Sequence, residues 1–173
     1  MISFSSKSIL SAIALAFALG SATSAFSATD TAQSTITLTF SDFIEIDNVN
    51  SVTIADPAAG SPATGSDTFC VAGSGFNFFS ITFSTDDPAI PEFLLLSSNG
   101  SLPIAYQVFF ANNPTGTAIQ VFPNDPLPGQ SIEASNCSND TARFDIEIPS
   151  AEWENREFDG PFTGVLMITV ESE

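Results

Sequence analysis

The sequence predicts an all-β protein, a single antiparallel sandwich or barrel of eight to ten short strands. Two observations carry that expectation. Apolar and polar side chains alternate with period two along most of the chain, and helical periodicity is nearly absent. The runs are short and are separated at near-regular spacing by clusters of Pro, Gly and Asn, the pattern of sandwiches and barrels.

Fold reasoning starts after residue 27. Residues 1–27 carry one cation, Lys7, then an apolar run from Ile9 to Leu19, then small residues. This is the three-part plan of a bacterial-type secretory signal peptide. The apolar run is shorter than the ~20 residues that a spanning helix needs. Cleavage is expected after Ser27, where Ala25 and Ser27 flank Phe26, with Ala25 and Ala28 as neighbouring alternatives. No later stretch is long and apolar enough to cross a membrane. The expectation is an exported, soluble chain with no membrane insertion.

About 145 residues then remain, a size that suits one domain with a real core. With 17 Phe and 43% hydrophobic residues in the whole chain, apolar material for that core is ample. Charge is lopsided. Without Lys7 the chain keeps two basic residues, Arg143 and Arg156, against 20 acidic ones, a formal charge of −18. Nucleic acid and anionic lipid would repel such a polyanion. Solubility explains the acidity most simply, and a basic partner surface is the sharper alternative. Cys70 and Cys137, 67 residues apart, are the only thiols in a chain bound for an oxidising compartment, where one structural disulfide is the default. Closing a loop of that length stabilises by roughly 4 kcal/mol.

The elements follow in order. "STITLTF" (34–40) places Ile36, Leu38 and Phe40 on one face and threonines on the other. "DFIEIDNV" continues with Phe43, Ile44 and Ile46, and "SVTIA" is a brief sequel. "DPAAGSPATGSD" (56–67) reads as a loop from its Pro and Gly spacing. Strands are expected at "TFCVAG", "FNFFSITFS" and "EFLLLSS", with turns at "GSG" and "TDDPAIP". "LPIAYQVFFANN" is the longest strand candidate, and "PTGTAIQVFP" is its hairpin partner. "NDPLPGQS" reads as a loop and "IEAS" as a short strand. In "ARFDIEIP", Phe144, Ile146 and Ile148 alternate with Arg143, Asp145 and Glu147, as in a half-exposed strand. "PSAEWENREF" (149–158) is the one helical candidate, a single turn. "FTGVLMITVESE" closes the chain.

Catalytic residues are hard to find. Without histidine, a Ser or Cys nucleophile lacks its usual base, and the cysteines are taken by the bridge. Glu152, Glu154 and Glu157 lie near Trp153, but acidic residues on a turn are common in so acidic a chain. "STDDP" and "NDTARFD" offer oxygen ligands without the loop spacing of a calcium site. No enzyme activity, metal or cofactor is expected. The sequons at 99–101, 136–138 and 139–141 read as chance behind a bacterial-type leader.

The order of "ITLTFSDFIEI", "DTFCV", "FNFFSITFS", "LPIAYQVFF", "ARFDIEIP" and "GPFTGVLMITVESE" resembles bacterial fimbrial subunits. The nearest groups are the small pilin-like proteins of archaic and alternate chaperone–usher systems, spore-coat-U-like and CFA/I-like. "AYQVFF" is similar to their "PYxVxF"-like strand, and "GPFTGVLMITV" to their final "GxYxGxLxLxV" strand, with Phe162 in the aromatic slot. The chain departs from the spore-coat-U-like pattern in lacking an early cysteine close after the first strand. The resemblance spans nearly all of the chain beyond the leader.

That resemblance implies an immunoglobulin-like sandwich that lacks its last strand. Its open groove would be filled first by a periplasmic chaperone and then, at the outer-membrane usher, by the N-terminal extension of a neighbouring pilin subunit. Residues 28–41 would be the extension and 42–173 the sandwich domain. Ile36, Leu38 and Phe40 would be the inserting face of the donor strand. Val165, Leu166, Met167, Ile168 and Val170, apolar on both faces, would form the strand bordering the groove. The alternative for 34–40 is an ordinary first strand of a complete sandwich. The alternative function is a self-contained exported binding module, for example for a surface polysaccharide.

Overall fold

The computed structural model describes residues 31–39, 41–55, 57–87, 89–154, 156 and 160–173. The expected signal peptide and Phe40 lie outside these residues. The chain divides into two units, Met1–Thr37 and Leu38–Glu173. In the first, residues 31–37 are exposed and carry neither strand nor helix.

The second unit is all-β and antiparallel throughout. Its strands are β1 (Phe43–Asp47), β2 (Ala63–Ser74), β3 (Phe78–Ser84), β4 (Phe93–Ser97), β5 (Ile104–Ala111), β6 (Ile119–Val121), β7 (Leu127–Ser131), β8 (Ala142–Ile148), β9 (Phe162–Thr163) and β10 (Met167–Ser172). A single helical turn, α1 (Ser150–Trp153), follows β8. The larger sheet has the order β1-β2-β8-β5-β4-β9 with β6 also on β5, and the smaller sheet has the order β10-β3-β7.

The core lies between the sheets and is built from phenylalanine on period-two strands. In β3, Phe79, Ile81 and Phe83 are at most 1% exposed while their sequence neighbours face outward. Facing them from the large sheet are Phe69 and Val71 of β2, Val108 and Phe110 of β5, and Phe144 of β8. Phe83 and Phe110 meet across the two layers with ring centroids 5.7 Å apart, and Phe110 also contacts Phe69 at 6.3 Å. Each such buried ring contributes about 1.5–3 kcal/mol. Phe93 stacks on Tyr106 at 5.4 Å, closing one end.

Cys70 and Cys137 are joined in a disulfide. The segment carrying Cys137 is also held along β2 by hydrogen bonds. Gly73 N–H donates to Ala134 O (3.0 Å), Val71 N–H to Thr141 Oγ1 (2.9 Å) and Thr68 Oγ1–H to Asp140 Oδ2 (2.6 Å).

Four expectations about elements need correction. First, β2 begins at Ala63, inside the stretch read as a loop at 56–67. Gly65 is there for space rather than for a turn. A Cβ on it would stand 2.5 Å from Val52 Cγ1 and 2.9 Å from Ile54 Cγ1. Second, "SVTIA" joins no strand; Val52 and Ile54 instead lay their side chains onto the core over Gly65.

Third, "LPGQS" is strand β7, and "IEAS" is irregular. Pro128 and Gly129 are tolerated because they form a bulge. Two residues of β7 oppose the single Ser80 between Phe79 and Ile81, and Gly129 adopts φ +71°. Fourth, "FTGVLMITV" is two strands. β9 pairs with β4 in the large sheet, and β10 pairs with β3 in the small one. The chain crosses between sheets at Gly164, whose absent Cβ would be 2.7 Å from Leu94 O. Val165 and Leu166 therefore lie in the crossing rather than in a strand.

Candidate functional site

Two strands end the sheets on the same side of the sandwich. Among the described residues, β1 is the terminal strand of the large sheet and pairs only with β2, while β10 terminates the small sheet and pairs only with β3. The two come close to each other at this margin. Each offers an unpaired row of backbone N–H and C=O groups, which soluble proteins usually blunt.

The side chains at the margin match an open core. Ile44 and Ile46 of β1, with Ile168 and Val170 of β10, pack against the buried cluster but stay only half-buried. Leu166, in the crossing before β10, does the same. At the centre of the small sheet, the corresponding residues of β3 are fully enclosed. On the outward side, Met167 is 47% and Val165 53% exposed. Glu45 and Asp47 of β1 and Glu171 of β10 give the margin an acidic rim.

Of the residues named from the sequence, Met167, Ile168 and Val170 thus share one edge strand, and Val165 and Leu166 precede it. Ile36 is 92% exposed; in the second unit, Leu38 is 75% exposed and belongs to no strand. The β1 wall, Ile44 and Ile46, was missed as part of a site. Its alternation in "FIEID" was visible, but the absence of a second neighbour was not.

The other candidates are absorbed by local structure. Asp87 closes its own turn, accepting from Ala89 N–H (3.0 Å) at Oδ1 and from Thr85 Oγ1–H (2.7 Å) at its carbonyl. Asp140 accepts from Thr68 and from Asn48 Nδ2 (3.2 Å). Glu154 accepts from Gly60 N–H, and Glu152 pairs with Arg156 at 3.6 Å. Glu157 lies outside the described residues. No cluster of three or more His, Cys, Asp or Glu suited to a metal occurs among the described residues. Trp153 packs on the core with its Nε1 enclosed, so it offers no exposed aromatic platform.

Both arginines are occupied. Arg143 pairs with Asp145 (3.0 Å) and donates to the carbonyls of Pro114 and, at 3.1 Å, Gly116. Arg156 donates to Glu152 O (2.9 Å) and Pro103 O (3.1 Å). The remaining charge among the described residues is acidic. Tyr106 is pushed up to about 12, first by burial and then by the negative charge of Asp86. No helix among the described residues is long and apolar enough to cross a membrane.

No protein-family model and no curated protein matches the chain. Among solved structures, it is similar to a chain from a chaperone–tip adhesin complex described as vital for synergistic activation of CFA/I fimbriae biogenesis. The match covers 75% of this chain and 41% of that one, with a TM-score of 0.55 and 18% sequence identity. This chain therefore spans less than half the length of that neighbour. At such identity the likeness is one of fold alone.

Proposed function

We propose that the protein is a structural, non-catalytic subunit of a bacterial surface fimbria, joined to its neighbours by donor-strand complementation. One observation carries the reading: among the described residues, β1 and β10 leave unpaired edges beside half-buried Ile44, Ile46, Ile168 and Val170. An incoming strand would align on those edges by main-chain hydrogen bonds and cover the apolar margin with alternate side chains. Residues 28–41 would supply that strand to a neighbouring subunit, with Ile36, Leu38 and Phe40 inserting and the threonines facing water. Residues 42–173 would form the domain that receives it.

Two further observations support the reading. Ile36 and Leu38 are exposed and outside any ladder in the lone chain, and the fold is like that of a chain from a fimbrial chaperone–adhesin complex. In this scheme residues 1–27 direct export and are removed. A periplasmic chaperone covers the margin in transit, an outer-membrane usher exchanges it for the next subunit, and the product is a surface fimbria.

Deletion of residues 32–40 tests this. The truncated chain should fold, keep its β-sheet circular dichroism and form a chaperone-bound monomer, yet fail to extend polymers with intact subunits. If the deletion unfolds a monomer that is otherwise stable alone, the segment belongs to its own sheet and the proposal fails.

A further inference from the structure

The outer face of the large sheet is not a plain solvated surface. Along β8, Phe144 and Ile148 enter the core, while Arg143, Asp145 and Glu147 alternate to the opposite face and are half-buried there. The ladder lines these residues up with their neighbours. Glu147 lies between Thr64 of β2 and Gln107 of β5, and Asp145 lies between Ser66 and Phe109. An open depression of about 470 Å³ occupies this face, lined by Thr64, Ser66, Phe109, Ala118, Asp145 and Glu147. Directly opposed side chains in a sheet stand about 5 Å apart and diagonal ones about 7–8 Å, so Phe109 and Glu147 border one site.

The charges in this site are unequal. Asp145 is compensated by Arg143 at 3.0 Å. Glu147 has no cation among the described residues. A chain of formal charge −17 also draws cations toward it. The depression therefore joins an aromatic ring, two hydroxyls and an uncompensated carboxylate.

We propose that this depression binds a glycan bearing free amino groups, a polymer of the glucosamine type. A pyranose has an apolar C–H face, for which the Phe109 ring is a flat apolar partner. Its hydroxyls exchange hydrogen bonds with Thr64 and Ser66, which both donate and accept. Its ammonium group answers Glu147 with a charge-assisted hydrogen bond. A neutral glycan would leave the Glu147 charge without a partner, and a basic peptide would make no use of the ring and hydroxyls together. The open shape suits a chain lying across the sheet better than a small ligand, which pockets usually enclose. The site is on the face of β2, β8 and β5, away from the margin of β1 and β10, so it does not rest on the assembly reading.

Isothermal titration of the exported protein with glucosamine hexamer, its N-acetylated counterpart and hexalysine separates these chemistries. The glucosamine hexamer should bind, and the other two should bind at least ~10-fold more weakly, the size of one lost charge-assisted contact. Glu147→Gln and Phe109→Ala should each weaken the glucosamine hexamer by ~10-fold with the β-sheet spectrum unchanged. Hexalysine binding as tightly as the glucosamine hexamer overturns the proposal in favour of bulk charge attraction. Equal affinity for the two hexamers overturns it by removing the amine's role. So does no binding of either hexamer, or binding that neither substitution alters.

Discussion

Moving residues 32–40 to the other end of the chain turns the proposed assembly step into a stability measurement. In this variant the native segment is removed, and a copy is appended after Glu173 through a flexible linker, long enough to reach the margin of β1 and β10. If the segment complements that margin, it buries Ile36 and Leu38, which are 92% and 75% exposed in the lone chain. The absolute gain includes the cost of ordering nine residues, so the informative quantity is a difference between two fused variants. Leu38→Asp in the appended copy forfeits about 1.5–3 kcal/mol of burial and adds the desolvation of an unpaired carboxylate. The expected loss is at least about 3 kcal/mol, or roughly 6–12 °C in Tm for a domain of this size.

Thr37→Asp in the same copy is the parity control. Its side chain faces water in the inserted strand, so its cost should stay below about 1 kcal/mol. Thermal unfolding of the three fusions by circular dichroism reads the result. Equal loss from Leu38→Asp and Thr37→Asp, or loss from neither, would refute the insertion of alternate side chains at this margin. A larger loss from Thr37→Asp would mean that the opposite face enters the groove.

The remaining predictions concern the domain itself. Replacing Cys70 and Cys137 together with Ala should cost about 4 kcal/mol in denaturant unfolding, because the bridge closes a 67-residue loop. The hydrogen bonds from Gly73, Val71 and Thr68 should still hold the bridged segment in the native state, so the sheet spectrum should not change. Gly75→Ala should cost about 2 kcal/mol or more, since φ is +97° and the new Cβ would run into the Asp42 side chain; Asp42→Ala should relieve only part of it. Tyr106, the single tyrosine, should titrate by ultraviolet absorbance near 12 in the folded protein, against about 10 when unfolded. Because the native state holds this proton longer, its contribution is complete below pH ~10 and is lost as pH rises toward 12, so denaturant midpoints should fall in that window.

Strands were legible in the sequence where apolar and polar residues alternate over five or more positions, as in β3 and β8. There the side-chain period fixes both the element and its buried face. Glycine was the main source of error, because one residue type answers three different demands. Gly129 supplies a positive φ in a bulge, Gly65 makes room for Val52 and Ile54, and Gly164 lets the backbone pass over Leu94 O. Only the first belongs to local chain geometry. The other two depend on atoms that are distant in sequence, so "PATGSD" was read as a loop and "FTGVLMITV" as one strand.

The candidate site divides along the same line. That Ile168 and Val170 are apolar on an alternating strand is local and was legible. That β10 and β1 each lack a second neighbour among the described residues is a property of sheet order, which no single strand encodes. Phe109 was concealed for a related reason: in "VFF" it continues an apolar run, and only the ladder with Asp145 shows that it faces outward. An apolar residue on the wrong face of a strand and an apolar margin without a covering strand are the same kind of signal. Each leaves hydrophobic surface in water that the fold had other means to cover. Both exposures are partial: Phe109, like Ile44, Ile46, Ile168 and Val170, is half-buried. The two proposals give each a partner: a strand for the margin of β1 and β10, and a sugar ring for Phe109.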